Sequence, residues 1–244
     1  MKSIRNVNIV SAIALSVSIS GCSNNHAEGL SSSGDQQQFE FNQCNISFNE
    51  QPLTLGNSIS EWNQTLGKHD RITLNQATPP ANVYIYDNHG VVLTSNSDVI
   101  SAITLFYPPV SDLKYQTQAL LKQFTKALQD PDFKYDEIMD KAFYQENVKS
   151  IEAGLSLFPE HPFQKTLLLD GLSIDPDTSM ESINNSRLPD RANIPLFKNQ
   201  NDLRVTYKLD CPNGPQELVF FTAPGAPKKI VSVSMRLHTN DRQP

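Results

Sequence analysis

The sequence predicts an α+β protein: two diverged copies of a β–short α–antiparallel β-hairpin–β unit, joined by a helical segment. Three observations predict it. Runs of period-two alternation cluster in two separate stretches, as half-buried strands require. Each stretch holds one short helix opened by a serine. Between them lie two segments whose apolar residues recur at helical spacing.

The first copy covers residues 39–107. Phe39 and Phe41, then Ile46 and Phe48, alternate with polar residues, and Leu53 and Leu55 continue after an expected turn at Asn49–Pro52. Ser58 is a good N-cap, and Glu61 three residues later completes a capping-box pattern. Ile59, Trp62 and Leu66 then share one helical face, and Gly67 stops the helix. Val83–Tyr86 and Val91–Thr94 flank Asp87-Asn88-His89-Gly90, a hairpin turn. Val99–Tyr107 forms the last strand.

Residues 108–162 form a helical connector. Helices are expected over Ser111–Gln129, with a stripe of Leu113, Leu120, Leu121, Phe124 and Leu128, and over Asp136–Leu157, with a looser stripe through Ile138, Met139, Ala142, Phe143, Val148 and Ile151. Asp130-Pro131-Asp132 separates them, and both stripes read as core rather than as a cofactor or membrane face. The second copy, residues 163–238, repeats the order. Leu167 and Leu169 alternate, Leu172 and Ile174 follow, Ser179 caps a helix carrying Met180 and Ile183, and strands are expected at Val205–Leu209, Glu217–Thr222 and Lys229–Leu237. A constant offset of 121 pairs Ile46 with Leu167, Phe48 with Leu169, Ser58 with Ser179, Trp62 with Ile183, Asn63 with Asn184 and Tyr86 with Tyr207. The register slips beyond that point because the second hairpin is longer.

Ahead of these units, residues 1–21 have the layout of a secretory leader: Lys2 and Arg5, an apolar Ile9–Ile19 stretch, then small residues. Eleven helical residues rise about 16 Å, short of a bilayer core of about 30 Å, so a permanent span is not expected. Ile19-Ser20-Gly21-Cys22 resembles the lipobox of bacterial lipoproteins. That resemblance implies cleavage before Cys22, diacylglycerol on its thiol and acylation of the new amine. Several acyl chains anchor stably where one does not. Ser23 after the cysteine is compatible, in the enterobacterial members of that class, with export to the outer membrane. Residues 22–38 read as a lipidated polar tether, spanning about 22 Å as a random coil and at most about 55 Å extended. Residues 239–244 are a tail.

The 244-residue chain carries a formal charge of −6; losing the leader removes Lys2 and Arg5 and makes it −8. With no cluster of Lys or Arg there is no electrostatic footprint for nucleic acid. Cys44 and Cys211 remain besides Cys22. In an oxidising compartment they can form a disulfide closing a very long loop; two buried free thiols are the alternative.

Motifs for catalysis are missing: there is no G-x-S-x-G, P-loop, H-E-x-x-H or C-x-x-C. His26, His69, His89, His161 and His238 are scattered without metal-ligand spacing, so no metal and no cofactor are expected. Asp170, Asp175 and Asp177 lack the calcium-loop pattern and suit turns. Asp87 within Tyr84–Gly90 resembles the tyrosine-aspartate repeats of large surface toxins, but it occurs once and a hairpin explains it. Trp62, Tyr84, Tyr86, Phe106 and Tyr107 suit either core pairs or interface anchors; the phase of Trp62 with Ile59 and Leu66 favours core.

The body also resembles known modules. A capped short helix ending in Leu66-Gly67 and followed by a hairpin is similar to duplicated β-lactamase-inhibitor-like modules and to small outer-membrane-assembly lipoproteins. The flow Ile46-Ser47-Phe48-Asn49, Pro52-Leu53, Ser58-Ile59-Ser60-Glu61-Trp62, Leu66-Gly67 and Tyr86-Asp87 to Gly90-Val91 resembles uncharacterised bacterial lipoprotein domains. The second copy departs from it, with Pro189 after Leu188. No functional residue carries over. A tether, two antiparallel-sheet modules and no catalytic cluster point to a non-enzymatic protein-binding lipoprotein facing the periplasm, held by lipid on Cys22. A concrete form is an immunity protein against a toxin delivered by a neighbouring cell. The alternatives are an assembly or scaffolding lipoprotein of the outer membrane and a hydrolase with a Ser or Asp beside His89 or His161 in a deep pocket.

Overall fold

The computed structural model describes residues 38–75, 80–96, 98–135, 139–185, 203–223 and 229–238. The leader, Cys22, His26, the tether up to Gln37, Ile138, Leu188 and the tail lie outside the described residues. The architecture is α+β, with strands gathered into two sheets.

The first sheet is built from β1 (Phe39–Asn42), β2 (Asn45–Phe48), β3 (Gln51–Leu53), β8 (Leu167–Leu169) and β9 (Leu172–Ile174), in the order β3-β2-β1-β8-β9. Two tight hairpins flank β1. Asn49 and Glu50 turn between β2 and β3, and Asp170 and Gly171 between β8 and β9, all four with positive φ as a two-residue primed turn demands. Pro52, expected to end the first turn, instead lies in β3, an edge strand where its missing N–H costs nothing. β1 runs antiparallel to β2 and parallel to β8, pairing Phe39 with both Phe48 and Leu167.

The second sheet contains β4 (Arg71–Asn75), β5 (Ala81–Tyr86), β6 (Val91–Asn96), β7 (Val99–Phe106), β10 (Arg204–Leu209), β11 (Gln216–Thr222) and β12 (Ile230–Leu237), in the order β10-β11-β12-β7-β6-β5-β4. Every neighbour is antiparallel. At its centre β7 pairs with β12, Thr104 lies opposite Ser234, and their hydroxyls bond at 2.8 Å. The β6–β7 ladder shifts register at Thr94/Ser95, and the β11–β12 ladder at Phe221/Thr222. Both sheets therefore draw strands from residues 39–107 and from 163–238, and the two stretches share one core.

That core fills the space between the sheets. Phe39, Phe41, Leu167 and Leu169 from the first sheet meet Tyr86, Leu93, Ile103, Phe220 and Val233 from the second. Two short helices close it: α1 (Ile59–Leu66) inserts Trp62 and α4 (Met180–Asn185) inserts Ile183, both essentially fully buried. Ser58 accepts from Glu61 N–H while the Glu61 carboxylate accepts from Ser58 N–H, a complete capping box. The Trp62 indole N–H donates to Thr54 O at 3.1 Å, so burying it leaves no donor unmet. Tyr84, Tyr86 and Tyr107 are core residues as well.

The opposite face of the second sheet carries α2 (Pro109–Gln129) and α3 (Lys141–Leu155), packed on each other. The second helix begins at Lys141 because the Asp140 carboxylate caps it from Phe143 N–H at 2.8 Å, which leaves Met139 outside the helical stripe. Only Val110, Ala127 and Ile151 are buried on this pair, and the leucine stripe of α2 is half-buried. Strand β4 has no counterpart in the sequence expectation. Its half-buried positions, Arg71 and Thr73, lie on the helix side of the sheet opposite Ile85 and Val83, while Ile72, on the face of Tyr84, and Leu74 are 56% and 53% exposed.

Candidate functional site

A histidine-lined recess forms where the β5–β6 turn meets the segment after α3. The turn Asp87–Gly90 lies at the end of two core strands, and residues 160–165 cross over it on the way to β8. Gly90 makes that crossing possible. It has φ +66°, and a Cβ there would overlap the Phe163 backbone nitrogen and come within 2.6 Å of Phe163 Cα. Phe163 is then driven into the core, edge-on to Phe39 and Tyr107 with ring centroids 5.9 and 5.6 Å away.

Arg71 and Asp87 fasten the crossing. The guanidinium Nε donates to Asp87 at 2.8 Å, and its two remaining nitrogens donate to Ser156 O and Phe158 O, both at 2.6 Å. Asp87 also accepts from Glu160 N–H at 2.8 Å, and its backbone O accepts from His161 N–H. Burial pushes the Asp87 carboxyl up, but the Arg71 hydrogen bond, the Glu160 N–H and the charges of Arg71 and Lys114 outweigh it and hold the group below its ordinary range. The cluster is a clamp between sheet and connector.

The recess beside this clamp has a volume of about 60 Å³, with Phe39, Phe48, Val91 and Phe163 as its floor and His89 and Lys165 at its rim. In that measure a single water needs roughly 10–15 Å³, so it admits a few waters or one side-chain tip. No serine, cysteine, aspartate or glutamate lines it. Tyr86 behind it is no base: its hydroxyl donates to Asn63 at 2.8 Å, and burial, helped by Asp70, pushes its pKa far up. Lys165 at the rim is pulled down by desolvation. The arrangement can seat a small group, with the amine of Lys165 but no serine, cysteine or carboxylate beside His89.

The remaining sequence candidates go to separate places. His69 stacks edge-on to Tyr84 with centroids 5.0 Å apart, and burial with Lys68 nearby lowers its pKa despite Asp70. His238 contacts Glu217 at 2.8 Å on the far side of the second sheet. Asp170 accepts from Gln43 N–H, Asp175 from Asp177 N–H, and Asp177 pairs with Lys229. These aspartates close turns and tie loops, and no group of three His, Cys, Asp or Glu converges among the described residues. Cys44 and Cys211 are joined in a disulfide, Cα atoms 5.5 Å apart, linking the β1–β2 turn to the β10–β11 turn. The sequence places Gly90 in a turn without its close approach to Phe163, and it marks neither Arg71 nor Lys165. For Gly90 a signal existed, a glycine ending an Asp-Asn-His-Gly turn; for Arg71 the alternation of Arg-Ile-Thr-Leu was available but inverted.

The family described as "Domain of unknown function (DUF7738)" matches residues 38–184, more than half of the chain. The chain belongs to that family. The DUF7738 match runs from the start of β1 to α4, so it includes β1–β7, the α2–α3 pair, the second hairpin of the first sheet and the whole recess with its clamp. Strands β10–β12 lie beyond it. No curated protein matches, and no solved structure matches.

Proposed function

We propose that this chain is an envelope-anchored, periplasm-facing lipoprotein that works by binding protein rather than by catalysis, in the concrete form of an immunity protein against a delivered toxin. The observation that carries the binding reading is the α2–α3 pair. It buries only three residues, leaves Leu113, Leu120, Leu121, Phe124 and Leu128 half-buried, and holds Tyr115 74% exposed. Apolar surface left partly uncovered on a helix pair suits an interaction site, and tyrosine is a frequent anchor in such sites. The anchor rests on the Ile19–Cys22 lipobox, and the disulfide between Cys44 and Cys211 suits an oxidising compartment. The hydrolase reading calls for a serine or aspartate beside His89, and neither lines the recess.

The body is further read as two diverged copies. Supporting this, the offset of 121 carries Ile46↔Leu53 onto Leu167↔Ile174, and the turn Asn49-Glu50 onto Asp170-Gly171. Both caps make the same isolated bridge, Ser58 to Val99 and Ser179 to Lys229. The two ladder irregularities fall at corresponding positions, and Thr104 and Ser234, equivalent under this reading, face each other. Such an arrangement has a pseudo-dyad between β7 and β12, with β1 and β4 having no counterpart among the described strands.

Two measurements test the function. The Cys22→Ala chain should leave the membrane fraction with its fold unchanged; retention after removal of the leader sinks the anchor. A strain lacking the protein should lose competitions against toxin-delivering neighbours, and Tyr115→Ala should restore less protection than wild type at equal abundance. Altered outer-membrane permeability with unchanged competition would point to assembly instead.

A further inference from the structure

Sheet edges expose unpaired N–H and C=O groups, and proteins guard them with proline, lysine, short strands or cover. Three of the four edges here carry such a guard. β3 contains Pro52 and has three residues, β9 has three residues, and β10 carries Arg204 and Lys208, with the Arg204 guanidinium 5.6 Å over the Phe221 ring. β4 carries none. It is five residues long, its one charge is neutralised by Asp87, and it turns Ile72 and Leu74 to solvent.

We infer that β4 is an interface, and that its occupant is the β4 strand of a second copy of this chain, paired antiparallel about Thr73. The choice of a second copy comes from the self-complementarity of Arg71-Ile72-Thr73-Leu74-Asn75. In that register Thr73 meets Thr73 of the other copy, each Ile72 meets a Leu74, and each Arg71 meets an Asn75 rather than another arginine. Apolar and threonine cross-strand pairs are favourable, and no like charges oppose. The two seven-stranded sheets then continue through the contact, and the exposed side chains of four residues, two from each copy, pack together on one face. A contact of this size falls below standard interfaces, so the dimer is weak in solution and is favoured where chains are concentrated. The inference rests on β4 alone and is independent of the anchor and of any toxin.

The test uses the full chain in mild detergent. Sedimentation should give a reversible monomer–dimer equilibrium below about 100 μM, and Ile72→Lys should weaken it by at least about tenfold with an unchanged melting curve. Ile72→Cys chains mixed with Leu74→Cys chains should cross-link under mild oxidation far better than either alone, the joined peptides being identified by mass spectrometry. A wild-type chain monomeric throughout overturns the inference, including the case where β4 captures a strand of a different protein. So does an Ile72→Lys dimer as tight as wild type, or cross-linking that favours like with like.

Discussion

Substituting Gly90 with alanine separates two costs that usually arrive together. Gly67 and Gly90 both have positive φ, +82° and +66°, but an added Cβ meets nothing within 4 Å at Gly67 and meets the Phe163 backbone at Gly90. With ψ −178°, Gly67 lies where almost only glycine is found, so backbone strain alone costs Gly67→Ala about 1–3 kcal/mol. Gly90→Ala carries a positive-φ strain of about 1–2 kcal/mol and must also push residues 162–163 away from the turn. Phe163 is 2% exposed, and drawing its ring out of contact with Phe39 and Tyr107 adds about 3 kcal/mol, the scale of a large core truncation. The total is about 4–5 kcal/mol, against a whole-domain stability of about 5–15 kcal/mol. At about 2–4 °C per kcal/mol for a domain of this size, Tm should fall by about 10 °C or more for Gly90→Ala and by clearly less for Gly67→Ala. Denaturant unfolding with near-ultraviolet circular dichroism reads both. If the two variants lose the same stability within about 0.5 kcal/mol, the close approach of the connector over the turn is wrong.

Replacing both Cys44 and Cys211 with alanine releases a cross-link between residues 167 apart. Loop entropy puts the loss at about 5 kcal/mol, and about 2–4 kcal/mol is expected because such links commonly deliver less; unchanged unfolding midpoints under non-reducing conditions would refute it. Asp87→Asn should destabilise by about 2 kcal/mol, discounted because the Arg71 side chain is 34% exposed, and should raise protease cleavage within residues 156–163 before global unfolding. Asp87 and Glu217 are both held below ordinary carboxylate values, so their contribution is present above about pH 4 and is lost as pH falls through their lower folded values. For Glu217, burial acts upward and is outweighed by Arg236 and then His238. Acid titration of the wild type should show an unfolding shoulder below pH 4 that shrinks in the Asp87→Asn chain; identical acid profiles would count against the clamp.

The parts of this fold that were legible in the sequence are those whose cause is local. The Ser58–Glu61 box closes within four residues, the Asp87–Gly90 turn is written in turn residues, and the phase of Trp62 with Ile59 and Leu66 places its ring in the core. The clamp is of another kind. Arg71 reaches Ser156 across 85 residues and Phe158 across 87, and Asp87 meets Glu160 across 73. No periodicity encodes those distances, so Arg71 reads as an ordinary polar residue until the connector is laid across the sheet. β4 fails for a sharper reason. Alternation identifies a strand only when its apolar side is buried, and here the half-buried positions, on the helix side of the sheet, are taken by the clamp arginine and by Thr73, bonded to Ser156 at 3.2 Å. Ile72, on the face of Tyr84, and Leu74 stay exposed at the edge of that face. The same geometry that hides β4 from a pattern search leaves its apolar side unsatisfied. A strand that looks wrong for the inside of its own chain is therefore the first place to look for a contact outside it.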